Sequence, residues 1–251
     1  AGVTVTDNMS WEDFKNAAIK LTKDDVCGAG ILFDLARLTY IFQSDGSKIE
    51  VNGLPNITNQ NVIFVLEDLI DLRNNKYMMT PTDGGKGWVG ELFGSEMVAM
   101  ALEGPWTYSY LKETFPELNF GIVQVPKTPN GAEYTAAYTV GYSINKNSNK
   151  KEWARTFIEF ATSEEGMKIP TEKASLLPVR DSLFSLINNP DLKPFSDSAS
   201  KSVVWSGSKN LPYLFQEFGN HIPIALEGQK SVKETLDDIQ KAVENTIKNN
   251  N

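Results

Sequence analysis

The chain has 251 residues, of which 41% are hydrophobic and 22% are charged, as is usual for globular proteins. Its net charge is −8, and it has no basic block beyond Lys150-Lys151, so nucleic acid and anionic membrane surfaces are poor candidate partners. Cys27 is the only cysteine and His221 the only histidine, which excludes a disulfide framework and a structural zinc site. We expect neither a metal nor another cofactor.

The first half of the chain alternates predicted helices and strands. Ser10 is a predicted N-cap, followed by acids in a first helical turn. Residues 26–33 are a predicted strand and residues 35–43 a helix, with Asp34 between them. Asp34 could be the helix N-cap or a ligand carboxylate at the end of the strand, and the sequence favours neither. A further helix with a strong apolar face follows Asn59.

A short apolar run at residues 98–102 predicts a buried strand covered on both faces. The run stops at Gly104-Pro105, because proline cannot donate to a ladder and restricts the residue before it. Trp106 follows at the carboxyl end of this strand, where open α/β sheets bind ligands. Its flat indole could stack on the apolar face of a sugar ring, and the alternative is that it caps the core.

The second half predicts strands at residues 120–125 and 134–144 and helices at residues 108–114 and 152–161. A capping box that begins at Ser231 opens the closing helix, which carries one apolar stripe. Strands separated by helices indicate an α/β fold with a largely parallel sheet.

Several stretches, in this order and spacing, are similar to bacterial extracellular solute-binding proteins of the maltose-binding type. They are Ser-Trp-Glu-Asp-Phe at 10–14, Leu-Phe-Gly-Ser-Glu-Met-Val-Ala-Met at 92–100, Gly-Pro-Trp at 104–106, Gly-Ile at 121–122 with Val-Pro at 125–126, Ile-Asn-Lys-Asn-Ser at 144–148, Phe-Ile-Glu-Phe at 157–160 with Thr-Ser-Glu-Glu-Gly at 162–166, Leu-Pro-Val-Arg at 177–180 and Gly-Gln-Lys-Ser-Val at 228–232.

The resemblance implies a periplasmic-binding-protein-like α/β fold of type II, mainly its C-terminal lobe. Residues 1–139 and 191–251 would form that lobe, and residues 140–190 would be a crossover and helical segment of the N-terminal lobe. Most of the N-terminal lobe's sheet and the export signal have no counterpart in the chain, so we expect a fragment or the C-terminal part of a longer protein. An apolar helix face in residues 140–190 would then lack its sheet, and we expect self-association, rearranged packing or poor order there.

The resemblance also implies which residues bind the ligand. Trp106 matches the family's sugar-stacking tryptophan after Gly-Pro. Asp34 falls near a ligand-binding carboxylate, Phe215 falls loosely near a second stacking aromatic, and Tyr142 lies at the crossover close to the cleft. Four weaker candidates are Arg37, Trp88, Trp205 and Tyr213.

The function implied is that of a carbohydrate-binding component of an ABC importer, which closes two lobes on a mono- or oligosaccharide and delivers it to the permease. It would be extracellular or periplasmic and tethered through a lipidated N-terminus absent from this chain. A different class, glycoside hydrolysis, would pair the carboxyls of Asp34 and Glu103. A third, an adhesion or scaffold module, would be favoured if no sugar binds and the Trp106 ring is fully buried.

Overall fold

The fold was analysed in a computed structural model, which describes residues 2–187, 189–203 and 208–250. Its α-helices are α1 (Trp11–Leu21), α2 (Leu35–Phe42), α3 (Gln60–Asn74), α4 (Val89–Gly94), α5 (Trp106–Thr114), α6 (Lys151–Ala161), α7 (Glu164–Ala174), α8 (Lys193–Ser198), α9 (Leu211–Leu226) and α10 (Val232–Asn250). Its strands, each of two residues, are β1 (Ala29–Gly30), β2 (Glu50–Val51), β3 (Leu54–Pro55), β4 (Met78–Met79), β5 (Thr135–Ala136) and β6 (Ser202–Val203). Short 3-10 turns lie at Asp181–Leu186, Pro190–Leu192 and Ala199–Lys201. None of the helices in these ranges is long and apolar enough to cross a membrane.

The chain divides into two compact units. Unit 1 consists of Ala1–Leu102, Gln124–Ala137 and Ser200–Asn251, and unit 2 of Glu103–Val123 and Tyr138–Ala199. Unit 2 thus resembles the predicted 140–190 segment, but it also contains residues 103–123, which the sequence analysis grouped with residues 1–139. A compact unit is defined by packing alone, so the assignment of residues to two functional lobes stays a prediction.

Unit 1 contains a small parallel β arrangement. β1 pairs with β4 in parallel, and parallel bridges join Cys27 to Val98 and Gly30 to Ala101 on its other side. The predicted strand at residues 98–102 therefore runs beside β1, but only part of it is covered. Val98 is buried whereas Ala99 is exposed, so the prediction of a strand covered on both faces was wrong. The physical reason is that successive side chains of a strand point to opposite faces, and the described residues cover the face of Val98 but not that of Ala99.

The helix starts in unit 1 follow local capping chemistry, as the sequence predicted. The Ser10 hydroxyl accepts the Asp13 N–H at 3.0 Å, and the Asp13 carboxylate accepts the Ser10 N–H at 3.1 Å. This reciprocal pair is a capping box, which satisfies two amides that would otherwise lack partners. Asn59 caps α3 in a similar way by accepting the Val62 N–H at 3.0 Å.

The core of unit 1 is closed by α9 and α10, which pack against each other. The apolar stripe predicted on the last helix is buried as expected, and it comprises Val232, Leu236, Ile239, Val243 and Ile247. On α9, Phe218 is fully buried, and its ring centroid lies 6.2 Å from that of Phe42.

Two predicted strands are shorter than expected or missing. Residues 120–125 form no ladder, and the Gln124 N–H donates instead to a carboxylate oxygen of Asp7 at 2.8 Å. The predicted strand at residues 134–144 is reduced to β5, which pairs in parallel with β6. The apolar spacing in both stretches is real, but a ladder also needs a neighbouring backbone in register. The described part of the chain is therefore mostly helical with few, short strands.

In unit 2, α5 buries the side chain of Leu111. The two hydroxyls of Ser109 and Ser175 lie 2.6 Å apart and link α5 to the end of α7. The Tyr108 hydroxyl donates to Asp191 at 3.2 Å. These contacts position α5, which carries the leading ligand-binding candidate at its first residue.

Candidate functional site

Trp106 is the first residue of α5, two residues before the predicted start of that helix. Pro105 precedes it with φ −61°, which the proline ring imposes and which suits the entry to a helix. The Thr107 N–H donates to the Gly104 carbonyl at 3.1 Å, so the chain turns within the Gly-Pro pair. The local sequence therefore places the indole at the start of a helix.

Three neighbours hold the indole of Trp106. Its Nε1–H donates to the Oε2 atom of Glu103 at 3.1 Å, and the same oxygen accepts the Gly104 N–H at 3.3 Å. The six-membered ring lies against Gly104 so closely that a Cβ at position 104 would overlap it. The ring of Tyr138 meets the indole edge-on, with the centroids 5.4 Å apart and an angle of 77° between the planes.

The indole of Trp106 is partly buried. Partial burial is compatible with a core cap, because tryptophan is rarely sealed completely, and with a stacking surface, which must be both ordered and accessible. Hydrogen bonding at the indole nitrogen provides the order without covering the whole ring. Full burial of this ring, one of the two observations that would favour the scaffold alternative, is not seen; the other, an absence of sugar binding, is a matter for experiment.

Asp34 in unit 1 is the N-cap of α2, so the capping interpretation is confirmed. Its Oδ1 accepts the backbone N–H of Arg37 at 2.7 Å, and its Oδ2 contacts the Arg37 guanidinium at 2.6 Å. The Asp34 side chain is still 34% exposed. A ligand role is compatible with this cap, because each carboxylate oxygen has two lone pairs, and that role stays a prediction.

The other aromatic candidates of unit 1 lie in two places. Phe215 and Tyr213 lie on α9, partly buried and packed against the core. Trp88 precedes α4, and its ring lies over Gly90, where a Cβ would overlap it. Trp205 lies outside the described residues. A binding role for each of the four stays a prediction.

Tyr142 belongs to an exposed aromatic patch in unit 2. We define this aromatic patch as Tyr142, Trp153, Phe157 and Phe160, whose exposed fractions are 56%, 75%, 59% and 47%. The rings of Tyr142 and Phe157 meet edge-on at 6.0 Å. The other members lie three or four residues apart on α6, hence on one face of that helix. None of the residues of α6 is buried, so its predicted apolar face lacks a cover in the described structure.

The two carboxyls of the hydrolase alternative both have local structural roles. Glu103 accepts the indole N–H of Trp106, and Asp34 caps α2. Among the residues that the structure describes, no group of three or more His, Cys, Asp or Glu side chains could hold a metal ion. The geometry therefore favours neither hydrolysis nor metal chemistry at these residues.

Two residues that shape the surroundings of Trp106, Glu103 and Tyr138, were not predicted as site residues from the sequence. Glu103 was considered only as a carboxyl of the hydrolase alternative, and Tyr138 was not considered. A carboxylate three residues before a tryptophan, with a Gly-Pro turn between them, was the available signal for Glu103. No local signal points to Tyr138, because it lies 32 positions away along the chain.

One known protein family matches most of the chain. The family described as bacterial extracellular solute-binding protein matches residues 4–194. The chain is 26% identical to a maltooligosaccharide ABC transporter solute-binding lipoprotein of Streptococcus pneumoniae serotype 4, over 68% of this chain and 41% of that protein. It is 22% identical to the maltodextrin-binding protein MdxE of Bacillus subtilis, over 83% of this chain and 50% of that protein. The chain thus spans half the length of these relatives or less.

Solved structures share the fold at low sequence identity. The maltose/maltodextrin-binding domain of Bdellovibrio bacteriovorus, bound to maltotriose, matches with a TM-score of 0.84 at 18% identity, over 98% of this chain and 68% of that chain. A cyclo/maltodextrin-binding protein complexed with maltotetraose matches with a TM-score of 0.77 at 18% identity, over 98% and 66%. The predicted fold class, periplasmic-binding-protein-like of the maltose-binding type, is confirmed.

Proposed function

Because the chain belongs to the bacterial extracellular solute-binding protein family, we propose that it is the carbohydrate-binding part of a component that serves an ABC importer. The ligand class we propose is a maltooligosaccharide, since the relatives from Streptococcus pneumoniae and Bacillus subtilis are named for maltooligosaccharide and maltodextrin. The chain would bind this ligand without chemical conversion, as binding proteins of the matched family do.

The observation that best supports the proposal is that the indole of Trp106 is fixed by its neighbours and is partly exposed. A glucose ring presents C–H groups on one face, and an indole offers a flat, electron-rich surface for them. The ring's hydrogen bond to Glu103 limits its rotation, so little conformational entropy remains to be lost on stacking. A neutral sugar also suits a chain of net charge −8 better than a phosphate would.

Polar and further aromatic contacts would come from the remaining candidates. We propose that Asp34 and Arg37 bind sugar hydroxyls and that Phe215 is a second stacking surface. Tyr142, Trp88, Trp205 and Tyr213 follow as weaker candidates. The few polar groups would orient the ligand, and the aromatic rings would contribute most of the contact area.

Two lobes would close on the ligand. We propose that residues 1–139 and 191–251 form the C-terminal lobe and that residues 140–190 return to an N-terminal lobe. A ligand that contacts both lobes stabilises the closed state by its difference in affinity for the two states. The chain by itself would therefore bind the sugar weakly, because it would supply only part of the contacts.

We propose an extracellular or periplasmic location, with permease subunits of the importer as protein partners. Tethering through an N-terminal lipid outside this chain is supported by the lipoprotein name of the Streptococcus pneumoniae relative. A second copy of the chain is a further partner, through the aromatic patch, when the chain is studied alone. About 450 Å² of exposed ring surface per copy supports this, since aromatic side chains present roughly 200 Å² each.

The test measures maltotriose binding to the chain by saturation-transfer NMR, with cellotriose as the control sugar. Trp106→Ala should abolish the maltotriose signal, because the stacking surface is lost. The matched control is Trp153→Ala, which removes an exposed tryptophan of the aromatic patch and should leave the signal unchanged. Equal signals from wild type and Trp106→Ala, or no maltotriose signal from the wild type at millimolar sugar, would contradict the proposal.

A further inference from the structure

We infer that Glu103 is a positioning residue, which sets the orientation of the Trp106 indole for sugar stacking. The inference rests on the proposed function, because it assigns a role to a neighbour of the proposed stacking ring. Glu103 would act through Trp106 and would not itself need to contact the sugar.

The first support is the convergence of two donors on one carboxylate oxygen. The Oε2 atom of Glu103 accepts the Trp106 Nε1–H at 3.1 Å and the Gly104 N–H at 3.3 Å. The Gly104 amide belongs to the backbone, so it fixes the carboxylate relative to the chain. The carboxylate in turn fixes the edge of the indole that carries the nitrogen. Rotation of the ring about its side-chain bonds would break this hydrogen bond.

The second support is that the two remaining contacts act at other parts of the ring. Gly104 lies against the six-membered ring, and Tyr138 meets the indole edge-on at 5.4 Å. The hydrogen bond is the most directional of the three contacts, because its strength falls steeply as the donor, hydrogen and acceptor depart from a line. The bond to Glu103 therefore decides the angle of the ring plane, and Gly104 limits how far the ring can move.

The third support is the charge of the acceptor. A bond from a neutral N–H to a carboxylate is roughly twice as strong as one to a neutral oxygen. An anion at the indole N–H also increases the electron density of the ring, which strengthens its attraction for the weakly positive C–H groups of a sugar. Glutamate at position 103 should thus give tighter stacking than glutamine, and glutamine tighter stacking than alanine.

The experiment compares maltotriose affinity in wild type, Glu103→Gln and Glu103→Ala. We expect a loss of about tenfold in Glu103→Ala and a smaller loss in Glu103→Gln, because the amide oxygen still accepts the indole N–H. The matched control is Glu113→Ala, an exposed carboxylate on α5 that should leave affinity unchanged.

A second readout reports the hydrogen bond itself. The Nε1–H resonance of Trp106, assigned by its loss in Trp106→Phe, should shift upfield in Glu103→Gln and further in Glu103→Ala. If Glu103 had only a structural role, Glu103→Ala would lower the thermal stability, but the indole chemical shift and the maltotriose affinity would not both change in the order wild type, Glu103→Gln, Glu103→Ala. If Glu103→Ala unfolds, Glu103→Gln still tests the inference, provided that its melting temperature is near that of the wild type.

The outcomes separate the two ideas. Wild-type binding with equal affinity in all three proteins, or an indole resonance unmoved by either substitution, would overturn the inference and leave the proposed function intact. A wild type that binds no maltotriose would refute the proposed function and the inference with it. The graded loss described above would support both.

Discussion

Removing the aromatic patch should convert a self-associating chain into a monomer. The perturbation is the double substitution Trp153→Ser and Phe157→Ser, which exchanges the two most exposed rings of the patch for small polar side chains. The rings of Trp153 and Phe157 are 75% and 59% exposed. Both lie on α6, whose residues are all outside the core, so the double variant should fold as the wild type does.

The magnitude follows from the exposed area. At roughly 200 Å² per aromatic side chain, the patch exposes about 450 Å² in each copy, and a symmetric dimer would bury about 900 Å². Such an area is below the roughly 1,200 Å² at which stable specific interfaces begin, so we expect a dissociation constant in the micromolar range. Trp153 and Phe157 supply more than half of the area. Truncating one central interface aromatic typically costs about 2 kcal/mol or more, so losing both rings from both copies should weaken association by at least about 100-fold.

The assay is sedimentation velocity over a range of micromolar concentrations, with the weight-average sedimentation coefficient as the readout. The matched control is Phe64→Ser on α3 of unit 1, since Phe64 is also a helical phenylalanine and is 46% exposed. It should associate as the wild type does. A wild type that stays monomeric throughout, or a Phe64→Ser variant that dissociates as readily as the double variant, would refute the reasoning.

Three further predictions concern stability and reactivity. Lys201 and Lys127 hydrogen-bond to the Glu133 carboxylate and lower its pKa from 4.5 to about 2. Because the pKa is lower in the folded state, the stabilisation that this carboxylate contributes is present above pH 4.5 and is lost as the pH falls towards 2. Glu133→Gln should therefore lower the melting temperature at neutral pH but hardly at pH 2. Burial raises the pKa of the Cys27 thiol, so it should react with a disulfide reagent slowly in the folded chain and rapidly in denaturant. Phe218→Ala, at a fully buried ring, should cost about 3–5 kcal/mol of unfolding free energy in urea titration.

Each of these has a matched comparison. For the carboxylate, Glu113→Gln on α5 is exposed and should leave the pH dependence of melting unchanged; an acid response of Glu133→Gln identical to that of the wild type would contradict the ion-pair argument. Equal thiol reaction rates with and without denaturant would contradict the burial of Cys27. For the core, Phe64→Ala should cost far less than Phe218→Ala, and similar losses would show that burial does not decide the cost.

Helix positions were the part of the fold that local sequence could predict. Ser10 and Asn59 cap the helices that follow them, and the stripe on α10 is buried as its spacing indicated. Capping and helical periodicity depend on residues within a few positions of one another, so no tertiary information is needed. Strands were less predictable, since residues 120–125 have the apolar spacing of a strand but no partner backbone in register.

The sequence by itself determined the family resemblance, the helices and the position of Trp106 after a Gly-Pro turn, because each depends on residues that are neighbours in the chain. Only the tertiary structure decided that Tyr138 meets the indole of Trp106 edge-on, because the two residues lie 32 positions apart in the chain. The exposure of the apolar face of α6 was expected from the resemblance, and the tertiary structure confirmed it. The physical reason is that periodicity specifies which side chains share a face, whereas burial of that face depends on what the rest of the chain brings against it.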